Sequence, residues 1–378
     1  MSARHVPFSD YASVRPARVA AVQGFGFTER QARFLAHVLV FSGVFLERQY
    51  CQFAGIVHGQ KSHDFLTRLI QRGFATPITP GSVRRGRLYH VQFKPLYAAI
   101  GEPDNRHRKP ATLGRLIARL MVLDAVLADN RYYWLGTEPD KVHYFDTALD
   151  NPPRKDTYPQ VTYGAGQDAT RRFFPHKLPI GVEKDGFRRH VFLYLVTDVV
   201  PWPFRQFLFD HAQAFQGCPQ WTVRLLMPRR FKTAKAVYRA AFLDQCTRPL
   251  DPYLATWLSE HYAECQRTGR HLSAPDEHYL AKAFRQCGTT RVRALYRAWQ
   301  RQGMEAIWTA QSPCFRDAVD RRDGRLEYHD LWHQYLQCAG LIGERKAARR
   351  GDKCKMRQVG PPPATSSGSE PPTSHVAP

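Results

Sequence analysis

The chain has 378 residues with 55 Lys and Arg against 33 Asp and Glu, which gives a formal net charge of +22. This length predicts two or three domains, and 43% hydrophobic residues are enough to build their cores and exclude a wholly disordered chain. So large a positive charge indicates a polyanionic partner, and nucleic acid is the commonest one. No apolar run is long enough to span a bilayer, and the N-terminus lacks the apolar core of a signal peptide. We therefore expect a cytoplasmic protein with no membrane partner.

The cysteines and glycines do not indicate a bound cofactor. Eight cysteines are scattered without a C-x-x-C pair, which argues against a zinc ribbon and against a secreted disulfide framework. The sequence contains no G-x-x-x-x-G-K-[ST] loop, and neither Gly24 with Gly26 nor Gly164 with Gly166 continues into a dinucleotide fingerprint. We expect no cofactor and no metal.

After an irregular N-terminal arm (residues 1–27), residues 28–101 show the pattern of three helices followed by a β-hairpin. Thr28 can cap the first helix, and Gln31 is placed for a capping box. The other elements are predicted, in order, as helices at 46–54 and 60–72 and strands at 74–78 and 88–93. This layout is typical of a winged helix-turn-helix, a DNA-binding module.

The third predicted helix and the hairpin after it, the wing, carry the candidate DNA contacts. Phe65, Leu66, Leu69 and Ile70 form the inner stripe of the helix, so polar and basic side chains occupy its outer faces. Side chains on such a helix reach base edges, and cations on helix and wing reach phosphates. The candidates for base edges are Gln60, His63 and Thr67, and those for phosphates are Lys61, Arg68 and Arg72 on the helix and Arg84, Arg85 and Arg87 on the wing. A winged helix that binds a protein, with its charges merely solvated, is the alternative.

A polar, proline-bounded linker at 102–110 leads to a predicted α/β domain at 111–246. The domain begins with helices at 113–128 and 138–145. The run 178–227 then has the pattern strand, hairpin, strand, helix, strand, which predicts a mixed sheet covered by helices. We expect the sheet to be antiparallel at the hairpin and parallel across the helical crossover.

The rest of the chain is predicted to be a helical region (247–343), with helices that include 273–286 and 325–340. It ends in a tail (344–378) that is first basic and then Pro/Ser-rich and disordered. The predicted fold class is therefore mixed α+β and α/β: an N-terminal winged helix-turn-helix, a small central mixed-sheet α/β domain, a helical C-terminal region and a disordered tail.

The winged helix followed by an α/β domain, together with the stretch FFPHKLPIGVEKDGFRRHVFLYLVTD (173–198), resembles the plasmid replication-relaxation family and related winged-helix proteins of integrative and conjugative elements. The resemblance covers about residues 28–246. It implies that the second domain is similar to a restriction-endonuclease-like core. In that core an Asp at the end of one strand and an Asp/Glu-x-Lys on the next would hold Mg²⁺.

This sequence departs from that nuclease pattern. Pro179 and Ile180 stand where the resemblance places the first carboxylate, and the following strand has no carboxylate-x-Lys. The resemblance therefore implies a degenerate nuclease domain without catalytic residues. Glu183, Asp185 and Asp198 are the only nearby acids for a metal-dependent nuclease, and they would need an unusual geometry to share one cation.

A second metal pattern occurs near the C-terminus. His329 and His333 are four residues apart on a predicted helix, as in a zincin motif, with Asp330 in place of the usual Glu. Because no third ligand is evident and Asp is shorter than Glu, we predict ordinary surface or half-buried histidines rather than a zinc site.

The leading hypothesis is a non-catalytic accessory protein of a bacterial mobile element that binds double-stranded DNA in a sequence-specific or structure-specific way. Replication or transfer proteins are possible further partners. One alternative is a metal-dependent DNA nuclease that uses Glu183, Asp185 and Asp198. Another is a protein-interaction module of a replication or transfer complex.

Overall fold

A computed structural model of the protein describes residues 10–78, 87–150, 152–164, 169–268, 288–311 and 315–333. Several predicted features lie outside these residues: the first nine residues of the arm, Arg84 and Arg85 of the wing, the helix at 273–286 and the tail at 344–378.

The first part of the chain contains helices and a small sheet. Its elements are α1 Pro16–Gln23, α2 Glu29–Phe41, β1 Val44–Leu46, α3 Glu47–Ala54, α4 Gln60–Gln71, β2 Ala75–Ile78, β3 Leu88–Val91 and α5 Lys94–Ala99. The three predicted helices and the two hairpin strands are confirmed. The Thr28 hydroxyl accepts a hydrogen bond from the Gln31 backbone N–H, and the Gln31 side chain accepts one from the Thr28 N–H. This reciprocal cap is the one that the sequence predicted.

The small sheet has the order β1-β3-β2, and both pairings are antiparallel. Strand β1 was not predicted, because three residues after a glycine are too few to show a period. Gly43 is required where this strand begins. Its φ is +71°, and a Cβ there would meet the His107 carbonyl oxygen at 2.5 Å.

The prediction of an irregular arm is wrong for residues 16–23, which form α1. Pro16 begins the helix, where its missing N–H costs nothing, and Val19 and Val22 are buried. Ser13 and Arg18 donate hydrogen bonds to the Asp140 carboxylate at 2.6 and 2.8 Å. Contacts to a residue more than 120 positions away fix this segment, and the local sequence does not show them.

The central part holds most of a five-stranded sheet with the order β10-β9-β8-β7-β4. Its elements are α6 Leu113–Ala128, β4 Tyr132–Leu135, α7 Glu138–Thr147, β5 Gln160–Tyr163, β6 Thr170–Phe173, β7 Ile180–Glu183, β8 Arg189–Leu195, α8 Trp202–Asp210, α9 Ala212–Gln216, β9 Gln220–Pro228 and α10 Lys235–Thr247. Strands β7 and β8 are antiparallel, and β8 and β9 are parallel. The predicted mixed α/β sheet is confirmed, while β5 and β6 form a separate antiparallel pair.

The last described part is not wholly helical. Its elements are α11 Pro252–Thr268, α12 Thr289–Gln302, α13 Met304–Gln311, α14 Arg316–Asp320 and β10 Gly324–Leu331. The helix predicted at 325–340 is wrong for residues 325–331, because Gly324–Leu331 is an edge strand parallel to β9. A Cβ at Gly324 would lie 2.5 Å from the Trp221 ring, so the strand begins where only glycine fits. His329 therefore lies on a strand and His333 beyond its end, and the two do not share a helix face.

The two faces of the five-stranded sheet are buried by different parts of the chain. Val191, Leu193 and Leu195 of β8 belong to an apolar cluster that includes α6 and the N-terminal helices. The alternate residues Phe192 and Tyr194 pack with the aromatic side chains of α7 to α10. A third cluster joins α11, α12 and α13 to Phe209 of α8. The N-terminal helices thus share a core with one face of the sheet.

Candidate nucleic-acid interface

Helix α4 separates a buried face from a polar one. Phe65, Leu66 and Leu69 are buried, and the Phe65 ring stacks on Tyr50 of α3 with centroids 4.1 Å apart. Ile70 was predicted on the inner stripe, but its side chain is 37% exposed, so that prediction is wrong. The inner stripe is narrower than the sequence pattern indicated, and most of the helix surface is available to a partner.

The N-terminal turn of α4 presents three of the predicted contacts to solvent. Gln60, Lys61 and His63 are exposed, whereas Thr67, two turns into the helix, is half-buried. The Gln60 side-chain amide donates a hydrogen bond to the Asp64 carboxylate at 2.6 Å. Arg87 is exposed at the base of the hairpin. Gln60, Lys61 and His63 thus place polar groups in solvent at the N-terminal end of α4.

Arg68 and Arg72, the other two cations predicted on this helix, contact the protein itself. The Arg68 guanidinium donates a hydrogen bond to the Gly26 carbonyl at 3.3 Å, and that of Arg72 donates to the Phe25 carbonyl at 2.8 Å. Each guanidinium has five N–H donors, so donors and charge remain. In the structure, Arg68 and Arg72 hold the loop between α1 and α2 against the C-terminal end of α4.

A hydrogen-bond network that sequence reasoning missed fixes the start of α4. The Ser62 hydroxyl donates to a Glu47 carboxylate oxygen at 2.7 Å and accepts from the Gly59 N–H at 3.2 Å. It therefore ties the first turn of α4 to the first turn of α3. The available signal was Ser62 at the third position of a helix that follows Gly59, a position from which a side-chain oxygen can reach the N–H of the residue before the helix.

Glu47 and Cys51 of α3 and His58 of the turn that follows form the only group that could hold a metal ion within the described residues. Their ligand atoms lie within 4.8 Å of one another, and thiolate, imidazole and carboxylate are ligands that zinc accepts. Burial raises the pKa of the Cys51 thiol, which opposes the thiolate that a metal needs. Glu47 is already bound to Ser62, so the group is explained without a metal.

The three acids of the nuclease alternative do not come together. Glu183 ends β7 and Asp185 lies in the hairpin turn, where Val182 pairs with His190. Asp198 lies three residues beyond the other end of β8, a strand whose seven residues span about 20 Å. Its carboxylate instead accepts a hydrogen bond from the Val200 N–H at 3.1 Å. One divalent cation cannot bind all three.

An Asp–His pair, which sequence reasoning did not single out, lies between α8 and α12. The buried Asp210 carboxylate accepts hydrogen bonds from His176 Nε2 at 2.8 Å and from Arg301 at 3.0 Å. Burial raises the pKa of Asp210, but the hydrogen bonds from His176 and Gln206 and the positive charge of Arg301 lower it by more. The carboxylate is thus held charged, and it joins α12 to the sheet domain.

Lys141 of α7 is buried next to this pair. Its ammonium group donates to the Leu178 carbonyl at 2.7 Å, and only 2% of the residue is exposed. Burial, followed by the charge of Arg106, lowers the pKa of Lys141 to about 7. The amine is therefore close to its midpoint at neutral pH.

Comparisons of the chain with family models, curated proteins and solved structures found no match. The resemblance to the replication-relaxation family and to a nuclease-like second domain stays a prediction from the sequence. Among the described helices, none has both the length and the apolar composition to cross a membrane.

Proposed function

We propose that this protein binds double-stranded DNA with α4 and the β2–β3 hairpin, which together act as a winged helix-turn-helix. The observation that carries the proposal is the exposed polar turn at the start of α4, beside a hairpin that carries three arginines in the sequence. A recognition helix places its N-terminal side chains against base edges in the major groove. The net charge of +22 supports a phosphate-rich partner.

Each candidate contact receives a role from its position. Gln60 and His63 are assigned to base edges, with Thr67 beside them, and Lys61 to a phosphate. The hairpin arginines Arg84, Arg85 and Arg87 would clamp the backbone. Arg68 and Arg72 are assigned to support of the helix, because carbonyls of the preceding loop already accept their hydrogen bonds.

The proposed role is non-catalytic. Glu183 and Asp185 lie at the opposite end of β8 from Asp198, so a shared metal site at these acids is not favoured. The setting on a bacterial mobile element rests on the sequence resemblance alone.

The test is fluorescence anisotropy of the intact protein on a random-sequence DNA duplex. Lys61→Glu should weaken binding at least tenfold, because it reverses a charge at the proposed interface. Arg239→Glu is the matched control, since Arg239 is exposed on α10 and the net charge changes equally; it should weaken binding less than twofold. Equal losses of DNA affinity in the two variants would show that α4 is not part of the interface. No binding by the unaltered protein would favour a protein partner instead.

A further inference from the structure

Four cations from three separate parts of the chain meet beside α6. Arg106 lies in the segment predicted as a linker, Arg115 and Arg119 lie one turn apart on α6, and Lys177 lies in the loop before β7. Arg106 donates a hydrogen bond to the Lys177 carbonyl, and Arg119 donates to the Arg106 carbonyl, both at 3.4 Å. We call Arg106, Arg115, Arg119 and Lys177 the linker cluster.

The linker cluster is held on a packed support rather than on a free linker. His107, next to Arg106, is buried, and its carbonyl accepts hydrogen bonds from the His90 ring at 2.8 Å and from Arg119 at 3.4 Å. Residues 106–108 form a single 3-10 turn. The segment predicted as a linker is therefore packed here, because the buried His107 fixes it against β3.

The positive charge of the linker cluster is not paired with acids in the described part of the chain. Among the described residues, none of its four members takes part in an ion pair. Arg106, Arg115 and Lys177 are exposed, and Arg119 is half-buried. Burial, Arg106 and Arg172 lower the pKa of Lys177, whereas Glu138 raises it by less. The Glu138 carboxylate also accepts a hydrogen bond from the Phe173 N–H at 2.7 Å. Two further cations lie within electrostatic range of the cluster: Arg172 acts on Lys177, and Arg106 acts on Lys141.

These charges repel one another in the unbound protein. Arg106 reaches solvent but is closely surrounded by protein, and this burial, followed by the charges of Arg119 and Arg115, lowers its pKa to about 10. Burial and then Arg106 and Arg172 lower the pKa of Lys177. Like charges held together in this way cost free energy, which a bound anion would recover.

The backbone of the loop is also held in an unfavourable form. Lys177 has a φ of +57° and Phe174 one of +48°, a left-handed conformation that side chains with a Cβ rarely adopt. Hydrogen bonds from Arg106 to the Lys177 carbonyl and from Lys141 to the Leu178 carbonyl keep the loop in place. Such strain is typical of segments that position a functional group.

We propose that the linker cluster is a second surface for the phosphate backbone of DNA, separate from α4 and the hairpin; this inference rests on the proposed function. Guanidinium groups match phosphate oxygens with paired N–H donors, and three of the four cations are arginines. His107 and Gly43 lie at the end of β3 where Val44 pairs with His90, whereas Arg87 lies at the other end. The cluster therefore lengthens the contact with DNA rather than repeating that of the wing.

The test compares salt dependence between two triple variants. Arg106→Gln/Arg119→Gln/Lys177→Gln removes three charges of the cluster, and Arg188→Gln/Arg239→Gln/Arg293→Gln removes three exposed cations that enter no ion pair among the described residues. The slope of log affinity against log salt changes by about 0.9 for each phosphate contact that is lost. The cluster variant should therefore flatten the slope by about 2.7 and weaken binding at least tenfold at low salt. A slope equal to that of the control variant would overturn the proposal.

A charge-conserving variant protects the test against misfolding. Arg106→Lys/Arg119→Lys keeps the charge and should keep most of the slope, although it loses the paired donors. If it loses as much of the slope as the glutamine variant, phosphate contact is not the cause and the proposal fails.

The Lys61→Glu variant separates this proposal from the proposed function. If Lys61→Glu loses binding while the cluster variant behaves like its control, the proposed function is supported and only the proposal for the linker cluster is overturned. If the cluster variant loses binding while Lys61→Glu binds normally, the linker cluster contacts DNA and α4 does not. No DNA binding by the unaltered protein would overturn both.

Discussion

Arg224 and Arg106 show two opposite ways in which this chain uses arginine. Arg224 of β9 is 7% exposed and donates to the carboxylates of Asp129 at 2.8 Å and Glu327 at 3.2 Å. Arg106 is exposed and donates only to a backbone carbonyl among the described residues. An arginine buried between two carboxylates holds segments together, because a buried charge without a partner is costly. An exposed arginine among other cations can hold a loop through one carbonyl and still keep its charge and remaining N–H donors for an anion from outside.

The largest expected effect comes from breaking a buried pair. Asp140→Ala should lower the free energy of unfolding by about 3 kcal/mol, because it leaves Arg18 without its 2.8 Å carboxylate partner. Glu102 remains at 3.9 Å from Arg18, which keeps the loss at the low end. Urea unfolding measures it. Asp156→Ala is the control: the Asp156–Arg154 pair is exposed on the surface, so solvent screens it and the loss should be much smaller. Similar losses in both variants would contradict the comparison.

The next effect concerns Lys141, a buried amine that has no acid in hydrogen-bond contact among the described residues. Lys141 releases its proton near pH 7 in the folded state and near 10.5 when unfolded. Between these values the unfolded chain binds more protons, so this group makes stability rise with pH by at most about 1.4 kcal/mol per unit. Between pH 7.5 and 9 the wild type should gain about 2 kcal/mol over Lys141→Met. Lys184→Met, at an exposed site, should follow the wild type. Parallel curves for Lys141→Met and wild type would show that the buried amine is not perturbed.

The smallest expected effect is a gain in stability on mutation. Arg115 and Arg119 are like charges at positions i and i+4 of α6, an arrangement that destabilises a helix by about 0.2–0.5 kcal/mol. Arg115→Gln should therefore raise the free energy of unfolding by a similar amount at low salt, and the gain should fade in high salt. Thermal unfolding in two salt concentrations measures it. A loss of stability would mean that Arg115 has a structural partner, and it would weaken the contrast with Arg224.

Local signals made much of the fold predictable. The cap at Thr28, the glycine at position 73 with its φ of +67° and the bounds of helix 113–128 all follow from a few neighbouring residues. Strand β10 was missed because it depends on β9, about 100 residues earlier in the chain. The amphipathic spacing of 325–340 resembled a helix, and only a partner strand could decide otherwise.

The exposed positions of the candidate site could also be predicted from the sequence, whereas its long-range contacts could not. The spacing of α4 correctly placed Lys61 and His63 on the outside, because a helix period is a local property. It could not show that Arg72 binds the carbonyl of Phe25, which is 47 residues away. It also gave no sign that a polar linker would join α6 and the loop at Lys177 into one basic surface.

The measurement that tests the account most directly is the binding of the intact protein to a random DNA duplex across a range of salt concentrations. Eight cations are assigned to phosphates, four on α4 and the wing and four in the linker cluster. At about 0.9 per contact, the slope of log affinity against log salt should be about −7. A slope near zero, or no binding at low salt, would contradict the account, and the positive charge of the chain would then serve a partner other than DNA.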